Sequence, residues 1–354
     1  MKQNPVFIVG RFRSGTSYFW HIFNRLDRFR AWYEPLHPQL PAQIKHTAPK
    51  ADHVYIQDYW TAYRVLDDLS NHHRIEFGSE RLYLTAQDSW PELRQYLDYL
   101  INASGDRQPV LQFNRMDFRL PWLAGFYPHA QLVYLKRDPI QQWISQRKHI
   151  PKADRNNESY ADAYELMQWC ADLAPLLPFL APQKERHGFY RFYCLYCLSV
   201  LMGTHYADVV IDLDEDVFNS DDYLTQLAQL GLDEKELETA RELKHVPQNH
   251  AIVDDEVVAL KQIMAEVDGL LEASGLAAGF AKQRFDEIKQ QQPEFWSQQT
   301  VNAAAVIAEL NRSWHQEQAE KIKLLAALND IQKHREDKPV PEKQMADRTL
   351  KTDE

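Results

Sequence analysis

The sequence predicts an α/β fold, a P-loop-type parallel sheet flanked by helices, with helical insertions and a C-terminal helical extension. Two observations carry this. Short runs rich in Val, Ile and Tyr alternate with stretches of helical periodicity. The first run, "PVFIVG", opens straight into a glycine-bounded loop, Gly10-Arg11-Phe12-Arg13-Ser14-Gly15-Thr16-Ser17, with the spacing G-x-x-x-x-G-K-[ST] except that Thr16 stands in the lysine's place.

Taken in order, "PVFIVG" reads as a strand and "GTSYFWHIFNRL" as the helix that follows it. "PVLQFN" reads as a second strand, "AQLVYLKRD" as a third leading into the helix "PIQQWISQRKHI", and "ADVVIDLD" as a fourth leading into the helix "SDDYLTQLAQLGL". Helices that begin where parallel strands end put their amino termini at the carboxyl edge of the sheet, where open α/β folds bind ligands. The aromatic and histidine-rich segment between Asp52 and Ser104, and the helical pattern from Pro151 to Pro182, are expected to roof that edge. From Glu294 to Lys338 there is no Gly or Pro over 45 residues. Ile307, Leu310, Trp314, Leu324, Leu328 and Ile331 fit a heptad seam that Glu317 and Lys321 interrupt, so a docked amphipathic helix and an oligomerisation helix explain it equally.

Lys and Arg total 40 against 51 Asp and Glu, a net charge of -11, which argues against general binding to nucleic acid or anionic membranes. Any anion site must therefore be made by a few placed residues. Cys170, Cys194 and Cys197 are too few for a disulfide framework. Cys194 and Cys197 sit in the apolar run "FYRFYCLYCLSVLM" and are expected in the core of a buried helix. No apolar run approaches the roughly 18 residues of a membrane span, so a cytoplasmic protein is expected. His72 and His73 are neighbours with no further ligand spacing and read as polar loop residues, so no metal site is expected.

Glycines at 10 and 15 let backbone approach an anion closely, and the helix opening at the loop offers free N–H groups and a positive dipole end. Ser14, Thr16 and Ser17 add hydroxyls, and Arg11 and Arg13 supply cations from the loop itself. A nucleotide kinase or hydrolase would also need a strand-end carboxylate for Mg²⁺, which Asp212 or Asp214 could offer, but it would lack its lysine.

Arg13-Ser14-Gly15-Thr16-Ser17 resembles the 5′-phosphosulfate loop of sulfotransferases that use 3′-phosphoadenosine 5′-phosphosulfate (PAPS). "YLKRDPIQQWISQR" resembles that family's 3′-phosphate motif, with Arg137 at a strand end and Ser145 eight residues later, about two helical turns along. "WYEPLHP" resembles the Tyr-Glu-Pro run of its carbohydrate-specific members, and "DLDED" departs from their late-strand wording. The resemblance implies PAPS as co-substrate without a metal, and a hydroxyl acceptor, with a sugar or glycoconjugate favoured. It implies cofactor binding by Arg11, Arg13, Ser14, Gly15, Thr16, Ser17, Arg137 and Ser145, with Tyr18 where the family stacks an aromatic on adenine. Catalysis would fall to Arg13 and to Glu34 as general base, with His37 as the rival base. Arg115 would hold sulfate or acceptor oxygens, or else pair with an acid. Residues 1–280 would form the sulfotransferase domain, 281–337 a helical extension and 338–354 a disordered tail. A nucleotide-binding scaffold without catalysis is the remaining alternative.

Overall fold

The computed structural model describes residues 4–45, 56, 58–147, 166–181, 186–244 and 254–299, together with 318, 321, 324, 325 and 328. Five strands, β1 (Val6–Gly10), β2 (Phe29–Tyr33), β3 (Gln108–Phe113), β4 (Gln131–Lys136) and β5 (Val209–Asp212), form one sheet in the order β2-β3-β1-β4-β5. Every pairing is parallel. Four of these strands are the predicted ones; β2, "FRAWY", is additional. It lies at the edge of the sheet, where half-exposed Arg30 interrupts the apolar run that would have marked it.

The side chains of the inner strands divide between two faces, as a parallel sheet covered on both sides requires. Phe7, Val9, Leu111, Phe113 and Tyr134 face one core, which includes residues of the helices Pro91–Ala103, Leu120–Phe126, Phe189–Tyr206 and Asp254–Ser274. Val6, Ile8, Val110, Val133 and Leu135 face the other, covered by α1 (Thr16–Asn24) and the helix Asp222–Gln229. In α1 the fully buried Phe19, Ile22 and Phe23 recur at helical spacing, and each such side chain contributes about 1.5–3 kcal/mol by leaving water. The segment expected only to roof the sheet's edge thus supplies a helix, Pro91–Ala103, to the layer over one face. The helix Phe189–Tyr206 lies so close to β4 that a Cβ on Gly203 would stand 2.3 Å from the Tyr134 ring.

The register brings the strand ends level. Gly10 is aligned with Leu135, Tyr33 with Gln112, Val9 with Phe113 and Lys136 with Asp212. The residues leaving these strands, Arg11, Glu34, Asn114 and Arg137, consequently share the carboxyl edge.

Two compact units divide the chain, Met1–Ile307 and Ala308–Glu354. The core of the first includes Phe285, Ile288 and Trp296, beyond residue 280 where the sequence places the start of an extension. Of the proposed heptad seam, Leu324 and Leu328 are described, and both are exposed; the remaining seam positions and the charged tail lie outside the described residues. Of the two cysteines expected in a helix core, Cys194 is buried and Cys197 half-buried; Cys170 is buried as well. Among the described residues no helix is long and apolar enough to cross a membrane, and no group of His, Cys, Asp and Glu is arranged to hold a metal ion.

Candidate functional site

The loop after β1 closes on itself before it can close on a ligand. The backbone N–H of Ser14 and its hydroxyl both donate to the Arg11 carbonyl, at 3.2 and 2.7 Å. Gly15 turns left-handed at φ 88°, and a Cβ there would lie 2.6 Å from Leu213 Cδ1, so glycine is required twice over. The amino terminus of α1 has no side-chain cap, and its first N–H groups, which have no intrahelical acceptor, are left for an anion.

Arg13 also takes a left-handed conformation, φ 71°, at a cost of about 1–2 kcal/mol for a side-chain-bearing residue. Its Nε donates to the Ser145 hydroxyl at 2.8 Å, across 132 positions of sequence. Three residues before Ser145 on the same helix, Pro139–Arg147, Gln142 Nε2 donates to the Phe12 carbonyl at 2.6 Å. The two contacts clasp the loop. No ion pair to Arg13 occurs among the described residues, so its charge stands without a carboxylate beside it.

Arg137, 6 % exposed, follows β4. Its Nε is buried without a hydrogen-bond acceptor; the nearest carboxylate oxygen, Asp214 Oδ1, is at 3.7 Å. Burial lowers the guanidinium's pKa from its usual value, with Asp214 opposing the shift and the nearby charge of Arg13 adding to it. Two guanidiniums that repel, one with an orphaned donor, beside an uncapped helix terminus, fit a ligand with anionic oxygens. Asp214 is raised from the ordinary carboxylate range by burial, against the Asp138 N–H and Arg137, which favour its charge.

Glu34 is the second functional-site candidate with positive φ, at 39°; strain of this kind persists where surrounding contacts over-determine it. Asn114 Nδ2 donates to its Oε1 at 2.5 Å and Arg115 Nη1 to its Oε2 at 3.1 Å. Arg115 therefore takes the paired-acid alternative, with its guanidinium 4.9 Å from the Phe12 ring centroid. Tyr33, just before Glu34, shares a hydrogen bond with the Ser17 hydroxyl at 2.8 Å. Burial and then the Glu34 charge hold its phenol well above the usual range, so it stays neutral. Thr16 donates to Asn114 Oδ1 at 2.8 Å. Asn114, which no sequence motif singled out, thus joins the loop to Glu34.

The remaining residues that the sequence marks are each held by their own neighbours. Arg11 Nη1 donates to buried Asp117 at 2.8 Å and its guanidinium lies 5.0 Å from the Trp169 ring, so it buttresses the loop from the core side. Tyr18 is 5 % exposed in the core, with its ring edge-on to Phe19. His37 packs edge-on against Trp60, and its Nδ1 accepts the Gln39 N–H. His73 lies in the loop after the helix Leu69–His72, as expected, but it is only 8 % exposed, with Nε2 donating to the His37 carbonyl at 3.1 Å. His72 stacks on Tyr99 and lies 3.2 Å from Asp68. Asp212 accepts the Asp214 N–H and pairs with Lys136 at 3.0 Å.

The sulfotransferase family model matches residues 5–191, more than half of the 354. No curated protein and no solved structure matches the chain.

Proposed function

This chain belongs to the sulfotransferase family, and on that premise we propose that it moves a sulfuryl group from PAPS to a hydroxyl acceptor, a sugar or glycoconjugate, with Glu34 as general base. The observation that carries the reading is the bond from Arg13 Nε to Ser145 Oγ. It joins the loop that resembles a 5′-phosphosulfate site to the motif that resembles a 3′-phosphate site, as a clamp on a nucleotide with phosphate at both ends would need.

PAPS supplies an activated sulfuryl group, and by analogy with phosphoryl transfer the protein's task is alignment, charge stabilisation and removal of the acceptor proton. Arg13 and the amino terminus of α1 stabilise charge gathering on the leaving phosphate oxygen, with Thr16 and Ser17 as hydroxyl donors. Arg137 and Ser145 hold the 3′-phosphate, for which the orphaned Arg137 Nε provides a donor. Glu34, fixed on each side by Asn114 and Arg115, has carboxylate lone pairs left to accept the hydroxyl proton. His37 is the weaker base, because its Nδ1 lone pair is engaged in its own turn.

The kinase reading is disfavoured because Asp212 and Asp214 pair with Lys136 and Arg137, while the hydroxyl at the motif's [ST] position, Ser17, shares its hydrogen bond with Tyr33. Thermal unfolding with 3′,5′-adenosine bisphosphate, AMP and ATP·Mg²⁺ separates the readings. At a hundredfold excess over its dissociation constant the bisphosphate adds about 2.7 kcal/mol of stability. Arg137→Ala removes about 1.5–3 kcal/mol of charged hydrogen bonding from the bisphosphate and leaves AMP unchanged. Equal losses for both nucleotides sink the 3′-phosphate assignment, and stabilisation by ATP·Mg²⁺ alone favours a kinase.

A further inference from the structure

Three elements meet at one buried amide. Asn114, 6 % exposed, leaves β3 between the amino terminus of α1 and the end of β2. Its Oδ1 accepts from Thr16 Oγ1 at 2.8 Å and from Gln112 Nε2 at 3.2 Å, and its Nδ2 donates to Glu34 Oε1 at 2.5 Å. The orientation of the amide follows from chemistry: an ionised carboxylate only accepts, so the NH₂ faces Glu34 and the oxygen faces the hydroxyl. Gln112 completes the frame, since its Oε1 accepts the Glu34 N–H at 3.3 Å.

Thr16 has one hydroxyl proton. With Thr16 only 3 % exposed, that proton goes to Asn114 when the loop is empty. An anionic oxygen seated at the amino terminus of α1 competes for it and is the stronger acceptor. When it wins, Asn114 Oδ1 keeps only Gln112, and the amide's hold on Glu34 changes without any contact between Glu34 and the anion.

We propose that Asn114 is a positioning residue that holds Glu34 and couples its carboxylate to occupancy of the loop through the Thr16 hydroxyl. The inference rests on the reading of the loop as a bisphosphate nucleotide site, but adds a coupling between that site and Glu34 which the reading does not contain. A base set in this way changes its hydrogen bonding only when donor is present, which ties proton removal to a loaded site.

The test is spectroscopic and needs no acceptor. In protein labelled with ¹³Cδ-glutamate, the Glu34 carboxyl resonance is identified by its loss in Glu34→Gln. Titrating wild type with 3′,5′-adenosine bisphosphate moves that resonance. In Asn114→Ala the movement is lost, while the dissociation constant changes by less than about threefold, under 1 kcal/mol. Thr16→Val cuts the same relay from its other end and also abolishes the movement, so either variant decides if the other does not fold. Saturable binding with a stationary Glu34 resonance in wild type, or a movement that survives in both variants, overturns the inference alone. Absence of bisphosphate binding to wild type overturns the donor-site reading and the inference with it.

Discussion

Glu34 illustrates how one residue's chemistry is prepared by its neighbours. Its left-handed backbone, the Asn114 amide on one oxygen and the Arg115 guanidinium on the other leave the carboxylate one orientation at the sheet's edge. Glu34→Gln keeps the shape and removes the base, so PAPS turnover is expected to fall about 100-fold or more, with bisphosphate affinity little changed in a binding titration. A parallel loss of affinity would make Glu34 a structural residue instead. Glu34 is marked in the sequence by the resemblance of "WYEPLHP" to a Tyr-Glu-Pro run; Asn114 is not, because a lone asparagine gains its meaning only when β3 sets it beside β1 and β2. Arg11 and Arg13 were indistinguishable by type, and the loop's own turn separates them, one to Asp117 in the core and the other to Ser145. His73 offers a residue-scale test of stability. Burial pushes its pKa down to about 4 from an ordinary 6.5, against the opposing His37 carbonyl and Glu76. Between those values the unfolded chain binds the proton and the folded chain does not, so stability is retained above about 6.5 and falls as pH drops through the window, by up to about 3 kcal/mol. Denaturant unfolding from pH 7 to 4 should show this slope, and His73→Gln should flatten it.

At the scale of elements, the helix Pro139–Arg147 is the clasp that makes the loop a site. Its first turn follows Arg137 directly, and Gln142 and Ser145, three residues apart and so on one face, reach the backbone of Phe12 and the side chain of Arg13. Arg147 on the last turn pairs with Glu256 of the helix Asp254–Ser274 and anchors the clasp's far end. Gln142→Ala removes the amide that ties the clasp helix to Phe12, and is expected to lower stability by about 1–2 kcal/mol and to weaken bisphosphate binding. Hydrogen exchange across residues 10–17 with and without the mutation reads this directly. The clasp helix and four strands were legible because their periodicity is local. β2 was hidden by Arg30, which breaks its apolar run, although it delivers Glu34. The aromatics and histidines of the segment before β3 suggest a roof over the sheet's edge, whereas Leu93, Tyr96, Leu97 and Leu100 bury its helix in the core over one face.

For the molecule as a whole, a net charge of -11 sets a far field that repels an anionic nucleotide. Affinity must then come from groups at contact distance, and the fold supplies them by ending its strands level along one edge. All the strands and all the site residues lie within the unit Met1–Ile307. That unit's core draws on residues well past the last strand: Phe285, Ile288 and Trp296 pack in the cluster that includes Tyr134, Trp143 and Phe189, and Trp296 donates from its indole to the Ser274 carbonyl at 3.2 Å. A chain ending at residue 307 keeps this core and is expected to fold and to bind 3′,5′-adenosine bisphosphate like the full chain. A chain ending at residue 280 removes two large aromatics and an isoleucine from it. Truncating a single buried Phe or Trp to Ala costs about 3–5 kcal/mol, and a domain of ordinary stability holds only about 5–15 kcal/mol in total. Thermal unfolding of the two truncated chains therefore places the end of the folding unit: a cooperative transition and bisphosphate binding in both would put it before residue 280, whereas loss of both in the shorter chain alone puts it after Trp296.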